Sequence, residues 1–247
     1  MGMKFKRSYR DRKQAVAKRK KFTIKIIITI FIFQVIYTFF FSTIKIESIS
    51  MEPSLDEGSM MIYSPLTYGF RLKLVNSRLP EIRSPERGDL VVFSPPYLPA
   101  KKGFVSVISP FISFISFNKI NLSNVADRDW ENPFLIKRIL AVPGDTIRVE
   151  NFTAYIKSEK SDFFLSEFEV ITSDYDTNIG KLPKGWDNSI PFSGNMDQIT
   201  LKEDEFFVLG DNRLQSNDSL SWGVLGRERI EGQILMQYWP FNKISIK

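Results

Sequence analysis

The segment Phe134-Leu135-Ile136-Lys137-Arg138-Ile139-Leu140-Ala141-Val142-Pro143-Gly144-Asp145 decides how the rest of the chain is read. Its aliphatic run reads as a strand and is followed by Pro143-Gly144. On a strand, Leu135, Lys137, Ile139 and Ala141 share one face, and Ile136, Arg138, Leu140 and Val142 share the other. Each cation is therefore flanked by apolar residues on its own side, which suits a solvated surface strand poorly. Two readings of Lys137 stay open at this point. It snorkels at a strand edge, or it is desolvated and its pKa falls towards that of a neutral amine able to accept a proton.

Further strands are expected over 60–63, over 90–93 after the turn Arg87-Gly88-Asp89, over 206–209 and over 234–240. Residues 146–205 mix short β-rich runs (146–149 and 152–156) with polar loops, and read as a second β-lobe inserted between two halves of the first. The fold class is mainly β with one N-terminal helix. The expected organisation is a basic tail over 1–21, a membrane anchor over 22–45, a core over 46–145, the inserted lobe over 146–205 and the rest of the core over 206–247.

The chain contains neither cysteine nor histidine. That removes disulfides, thiol chemistry, Ser-His-Asp triads and nearly all zinc sites together. No metal or cofactor is expected; catalysis would fall to Ser, Thr, Lys, Tyr or carboxylates, and a nucleophilic serine is expected to use a lysine as its base. Of the 34 basic residues, ten lie in 1–21 against the single acid Asp11; the remainder of the chain is slightly acidic, with 24 basic and 27 acidic residues. A basic nucleic-acid-binding surface on the body has no support in that balance, and no nucleic-acid partner is expected.

From 26 to 44 the sequence is apolar apart from Thr29, Gln34, Thr38, Ser42 and Thr43. As a helix it would span about 28 Å, close to the thickness of a bilayer core. The positive cluster before it would keep the N-terminus in the cytoplasm. The end of the run lacks a small-x-small cleavage pattern, so it reads as a permanent anchor rather than a removable leader, with a buried soluble helix as the alternative. Residues 104–117, apolar and serine-studded with Pro110 inside, are too short to span. They are expected either to pack on the sheet or to dip into the outer face of the membrane.

The stretch Ile46-Glu47-Ser48-Ile49-Ser50-Met51-Glu52-Pro53-Ser54-Leu55 follows. In an extended backbone its two leading serines point the same way, while Pro53 biases Glu52 towards extended geometry. By itself it also reads as a solvated linker.

Together with Arg87-Gly88-Asp89-Leu90-Val91-Val92-Phe93, the Lys137 segment and Gly210-Asp211-Asn212-Arg213-Leu214-Gln215-Ser216-Asn217-Asp218-Ser219, this stretch closely resembles the ordered boxes of bacterial type I signal peptidases. These are membrane-anchored Ser/Lys proteases. The resemblance runs from the anchor to about Gly223, apart from 94–130 and much of the 146–205 lobe. It implies a β-rich core of the kind shared with LexA-like self-cleaving repressors, carrying an inserted β-lobe. It further implies removal of N-terminal signal peptides from exported preproteins after small-x-small (Ala-x-Ala-like) sites. The setting it implies is the bacterial cytoplasmic membrane, single-pass, with the catalytic domain outside and the translocation machinery nearby.

Carried over by position, Ser50 matches the nucleophile, Lys137 the general base and Ser48 the serine that joins the Ser50 N–H in the oxyanion hole. Ser216 matches the serine that orients the lysine. Arg138, Asp211 and Asp218 match the bracing network, and Met51, Leu55, Leu135 and Ile136 the lining of the substrate pockets. Leu220 departs from the family pattern, which has arginine there, and leaves Asp218 to find another partner, with Arg213 or Arg227 as candidates. Two Ser-x-x-Lys matches, at 42–45 and 116–119, lack an accompanying Lys-Thr-Gly and are set aside. Two rivals stay open: a homologue with a different processing duty or lost activity, and a tethered β-domain that only binds partners.

Overall fold

The computed structural model describes residues 9–69, 71–72, 77–78, 80–98, 134–179 and 194–246. The expectation for 104–117 lies outside them. The chain divides into two units, Met1–Phe40 and Phe41–Lys247.

The first unit is the helix α1 (Tyr9–Phe40). Cations at 13, 18–21 and 25 give way along it to exposed Ile26, Ile27, Ile28, Ile30, Phe31, Ile32 and Phe33. Among the described residues no helix is long and apolar enough to cross a membrane. The helix expected over 26–44 ends at Phe40, and Ser42–Lys45 forms strand β1 instead. The cause is a change of period. Ile44 and Ile46 are buried while Thr43 and Lys45 are exposed, an alternation of two that fits a sheet and not a helix.

The second unit is built on an antiparallel eight-stranded sheet. Its strands are β1, β2 (Met60–Ser64), β5 (Leu90–Phe93), β6 (Leu135–Ala141), β11 (Glu205–Leu209), β12 (Leu225–Gly226), β13 (Ile230–Trp239) and β14 (Ser245–Ile246). They run in the order β1-β2-β13-β5-β6-β11-β12, with β14 on β13. A small hairpin, β3 (Arg71–Leu72) and β4 (Ser77–Arg78), stands apart. β5 and β6 pair as Val91 with Lys137 and Val92 with Ile136. Alternate residues of β5 fall into two apolar clusters, Leu90 and Val92 with Ile136, Met51 and Leu55, and Val91 and Phe93 with Ile139 and Val208. Both strands are thus covered on both sides, which is why the cations of β6 carry apolar neighbours: Lys137 is only 2% exposed and does not snorkel.

After the Pro143-Gly144 turn the chain enters a four-stranded antiparallel lobe. It comprises β7 (Thr146–Glu150), β8 (Thr153–Lys157), β9 (Leu165–Ser166) and β10 (Met196–Thr200), ordered β10-β7-β8-β9, with the short helix α2 (Glu167–Val170) after β9. Ile147, Val149, Ala154, Ile156, Ile171 and Leu201 close over Leu140, Ala141, Phe207 and Leu209 of the main sheet. One apolar cluster therefore fastens the lobe to the ends of β6 and β11.

Candidate active site

The segment before β2 departs from the extended backbone expected for it. Ile49–Met51 form a 3₁₀ turn capped by Ser48, whose Oγ accepts the Ser50 N–H at 3.1 Å. The turn continues through Glu52 N–H to Ile49 O (3.1 Å) and Leu55 N–H to Met51 O (2.9 Å). Glu52 does take the extended geometry expected before a proline, at φ −67°, ψ 142°. Met51 and Leu55 are almost wholly buried and pin the turn to the sheet, each contributing about 1.5–3 kcal/mol.

This turn presents Ser50 to β6. Ser50 Oγ accepts hydrogen bonds from Lys137 Nζ at 2.6 Å and from Ser48 Oγ at 2.9 Å. Burial pushes the Lys137 amine down from 10.5 to about 8, against the opposing pull of the Asp218 and Asp211 charges. Near pH 8 the amine is therefore half neutral, and in that form it can accept the Ser50 proton over the same short distance. The Ser48 hydroxyl and the Ser50 N–H are occupied with each other and with Ser50 Oγ. An incoming carbonyl oxygen would have to replace those bonds.

Strand β11 runs into the loop that braces this pair. Gly210 passes so close to the turn that a Cβ there would lie 2.5 Å from Ser50 O and closer still to Ser216 Oγ. Only glycine fits. Asn212 N–H donates to Ser50 O (3.1 Å) and Asn212 Nδ2 to Ile49 O (3.1 Å), so one asparagine holds two successive carbonyls of the turn. Arg138 reaches Asp211 with two bonds, Nε to Oδ1 at 2.9 Å and Nη2 to Oδ2 at 2.7 Å, and donates to Gly88 O at 3.0 Å. Both partners are buried, the setting in which a forked guanidinium–carboxylate pair fixes geometry best.

The family model described as "Signal peptidase, peptidase S26" matches residues 19–239, most of the chain and every residue of this site. The chain belongs to that family. It is a member of a family of serine endopeptidases. A Synechocystis protein described as "Probable signal peptidase I-2" is 26% identical over 211 residues, covering 85% of this chain and 69% of its own. Signal peptidase I of Bacillus licheniformis is 24% identical over 222 residues, covering 89% and 88%. A solved signal peptidase I from Enterococcus faecalis V583 shares 20% identity, covers 62% of this chain and 98% of its own, and superposes only loosely, at a TM-score of 0.31.

At Leu220, where the resemblance implies an arginine, the geometry shows what supports Asp218 instead. The carboxylate caps helix α3 (Ser219–Trp222), accepting Leu220 N–H at 3.1 Å and Gly210 N–H at 3.0 Å. Burial raises its pKa, and the Gly210 N–H, the Ser216 hydroxyl and the Lys137 charge oppose the rise. Of the candidate arginines, Arg213 gives its guanidinium to Glu167 and Arg227 pairs with Glu81. Ser216 Oγ, expected to orient the lysine, is buried without a hydrogen bond of normal geometry and so does not hold Lys137 in this state. Met51, Leu55 and Ile136 gather in one cluster, whereas Leu135, half-buried, packs with the other cluster.

Sequence reasoning missed Gly210 and Asn212 as clamps, although both lie inside a quoted box. It missed Tyr175 and Glu167 outright, since no local motif marks either.

Proposed function

We propose that the chain removes signal peptides from exported preproteins, cutting after small-x-small (Ala-x-Ala-like) sites with Ser50 as nucleophile and Lys137 as general base. The observation that carries this reading is the 2.6 Å approach of Lys137 Nζ to Ser50 Oγ within a buried site. Neutral Lys137 takes the Ser50 proton as Oγ bonds to the scissile carbonyl carbon. The tetrahedral oxyanion is met by the Ser50 N–H and by the Ser48 hydroxyl, which swings away from Ser50 Oγ to reach it. As the C–N bond breaks, Lys137 delivers the proton to the leaving amine. Lys137, neutral again, then takes a proton from the water that attacks the acyl ester and gives it to Ser50 Oγ as the ester C–O bond breaks.

Arg138, Asp211 and Asp218 brace the two reacting groups, and Ser216 is the residue assigned to orient the lysine. An extended substrate sends alternate side chains the same way, so shallow pockets formed by Met51, Leu55, Leu135 and Ile136 read the residues one and three before the cut. The names of the relatives agree with this substrate class.

The membrane belongs to the same reading. On α1 the apolar side chains from Ile26 to Phe33 are exposed all round, the pattern of a helix made for lipid. Taken from 22 to the helix end at Phe40 it is about 28 Å long, with Lys25 snorkelling to the interface. The basic residues before it favour a cytoplasmic N-terminus and a catalytic unit on the outer side of the bacterial cytoplasmic membrane, close to the translocation machinery.

The test is cleavage of a purified preprotein ending its signal in Ala-x-Ala by Ser50→Ala and Lys137→Ala. Each is expected to be inactive while folded; substantial activity in either sinks the Ser/Lys assignment.

A further inference from the structure

The inserted lobe reaches the reacting pair through one wholly buried carboxylate. Glu167, at the start of α2, accepts from both Nη atoms of Arg213 and, at 2.5 Å, from the hydroxyl of Tyr175. Its remaining capacity takes the Ala154 N–H of β8 at 3.0 Å, which ties it to the lobe sheet. Each of its two partners then touches the brace of the active site. Arg213 donates to Gly210 O (3.1 Å) and to Phe152 O, and its N–H goes to Asn178 O (3.0 Å). Asn178 N–H in turn donates to Asp211 O at 2.8 Å. The Tyr175 ring lies under the Arg138 guanidinium, 4.0 Å from its centre. The contacts close a ring: Glu167, Arg213, the 210–212 turn, Asp211, Arg138, Tyr175 and back to Glu167. The turn inside that ring holds Ser50 O and Ile49 O, and Arg138 neighbours Lys137 on β6.

We infer that Glu167 is a positioning residue for the cleavage reaction, through which the inserted lobe sets the Ser50–Lys137 geometry by way of Arg213 on one side and Tyr175 on the other. This rests on the Ser50/Lys137 reading above. A buried ion pair is weak grounds for stability, because burying both charges offsets most of their attraction. Its two-sided hold on the brace gives it a different use. Reacting groups displaced by about 1 Å lose up to about 10²-fold in rate with little change in ground-state binding.

The experiment compares steady-state cleavage and thermal unfolding of the full chain for four proteins: unaltered, Ser50→Ala, Tyr175→Phe, and the double variant Glu167→Gln with Arg213→Met. The double variant removes both charges together and leaves neither buried alone, but it strips a donor from Gly210 O and Phe152 O, so it is expected to fold with a melting temperature a few degrees below that of the unaltered chain. Its kcat is expected to fall about 10- to 100-fold with KM within about twofold. Tyr175→Phe keeps the ring under Arg138 and loses only the bond to Glu167; a several-fold drop in kcat alone is expected. A full kcat in either variant while folded, with Ser50→Ala inactive, overturns the inference and leaves the Ser/Lys reading intact. A double variant that does not fold leaves the decision to Tyr175→Phe. An active Ser50→Ala overturns both.

Discussion

Replacing Lys137 by methionine should make the protein more stable as well as inactive. Burial lowers the folded-state pKa of this lysine from 10.5 to about 8. At about 1.4 kcal/mol per pKa unit, holding the ammonium inside costs the folded state about 3 kcal/mol at neutral pH. Methionine fills similar space without charge and loses the bond to Ser50 Oγ, worth about 0.5–1.5 kcal/mol. The net gain at pH 7 is therefore about 2 kcal/mol, or about 4–8 °C in melting temperature for a unit of this size. The sign with pH follows from the depressed pKa. Below about 8 the lysine is protonated in both states and the full cost is present. Between about 8 and 10.5 the unfolded chain binds more protons, so the unaltered protein gains stability as pH rises and the advantage of methionine disappears. Urea unfolding followed by tryptophan fluorescence at several pH values from 7 to 10.5 measures this directly. A Lys137→Met protein less stable at pH 7, or a difference that does not change with pH, would refute the burial argument.

Three further outcomes follow from the same geometry. Ser48→Ala should keep the fold and lose about 10²–10³ in kcat, since it removes an oxyanion donor; single-turnover cleavage reads it, and loss below about tenfold would assign the oxyanion elsewhere. Gly210→Ala places a methyl against Ser50 O and Ser216 Oγ, so kcat should collapse through displacement of the nucleophile turn, and a kcat within twofold would show that the loop has room to yield. Asp218→Asn removes a charge that raises the Lys137 pKa; the acid limb of the rate profile should move below about 8, and an upward move would contradict that electrostatic role.

Much of the fold was legible because it depends on local pattern. The aliphatic runs of β5, β6 and β11 declared strands, whereas the pattern of β6 left Lys137 open between snorkelling and desolvation, and only the cover on both sides of the sheet decides it. The residues around Ser50 were legible as a set of boxes, though their conformation was not. Alternation suggested an extended run, whereas the Ser48 cap and the burial of Met51 and Leu55 favour a 3₁₀ turn. Strand β1 escaped because its β-branched residues continue the apolar run of the helix, and only the partner strand reveals where the period changes. Glu167 and Tyr175 escaped for a different reason. Their meaning lies in contacts with Arg213 and Arg138, and in nothing about their neighbours in sequence.

The most direct test of the central claim is the pH dependence of kcat/KM for preprotein cleavage by the unaltered enzyme and by Lys137→Arg, since that ratio reports the free enzyme's essential base. The account predicts activity that rises with pH through a midpoint near 8, the value set by burial of Lys137. It also predicts no activity at any pH for the arginine variant, which cannot deprotonate. A midpoint near the ordinary lysine value, or cleavage by Lys137→Arg, would contradict it.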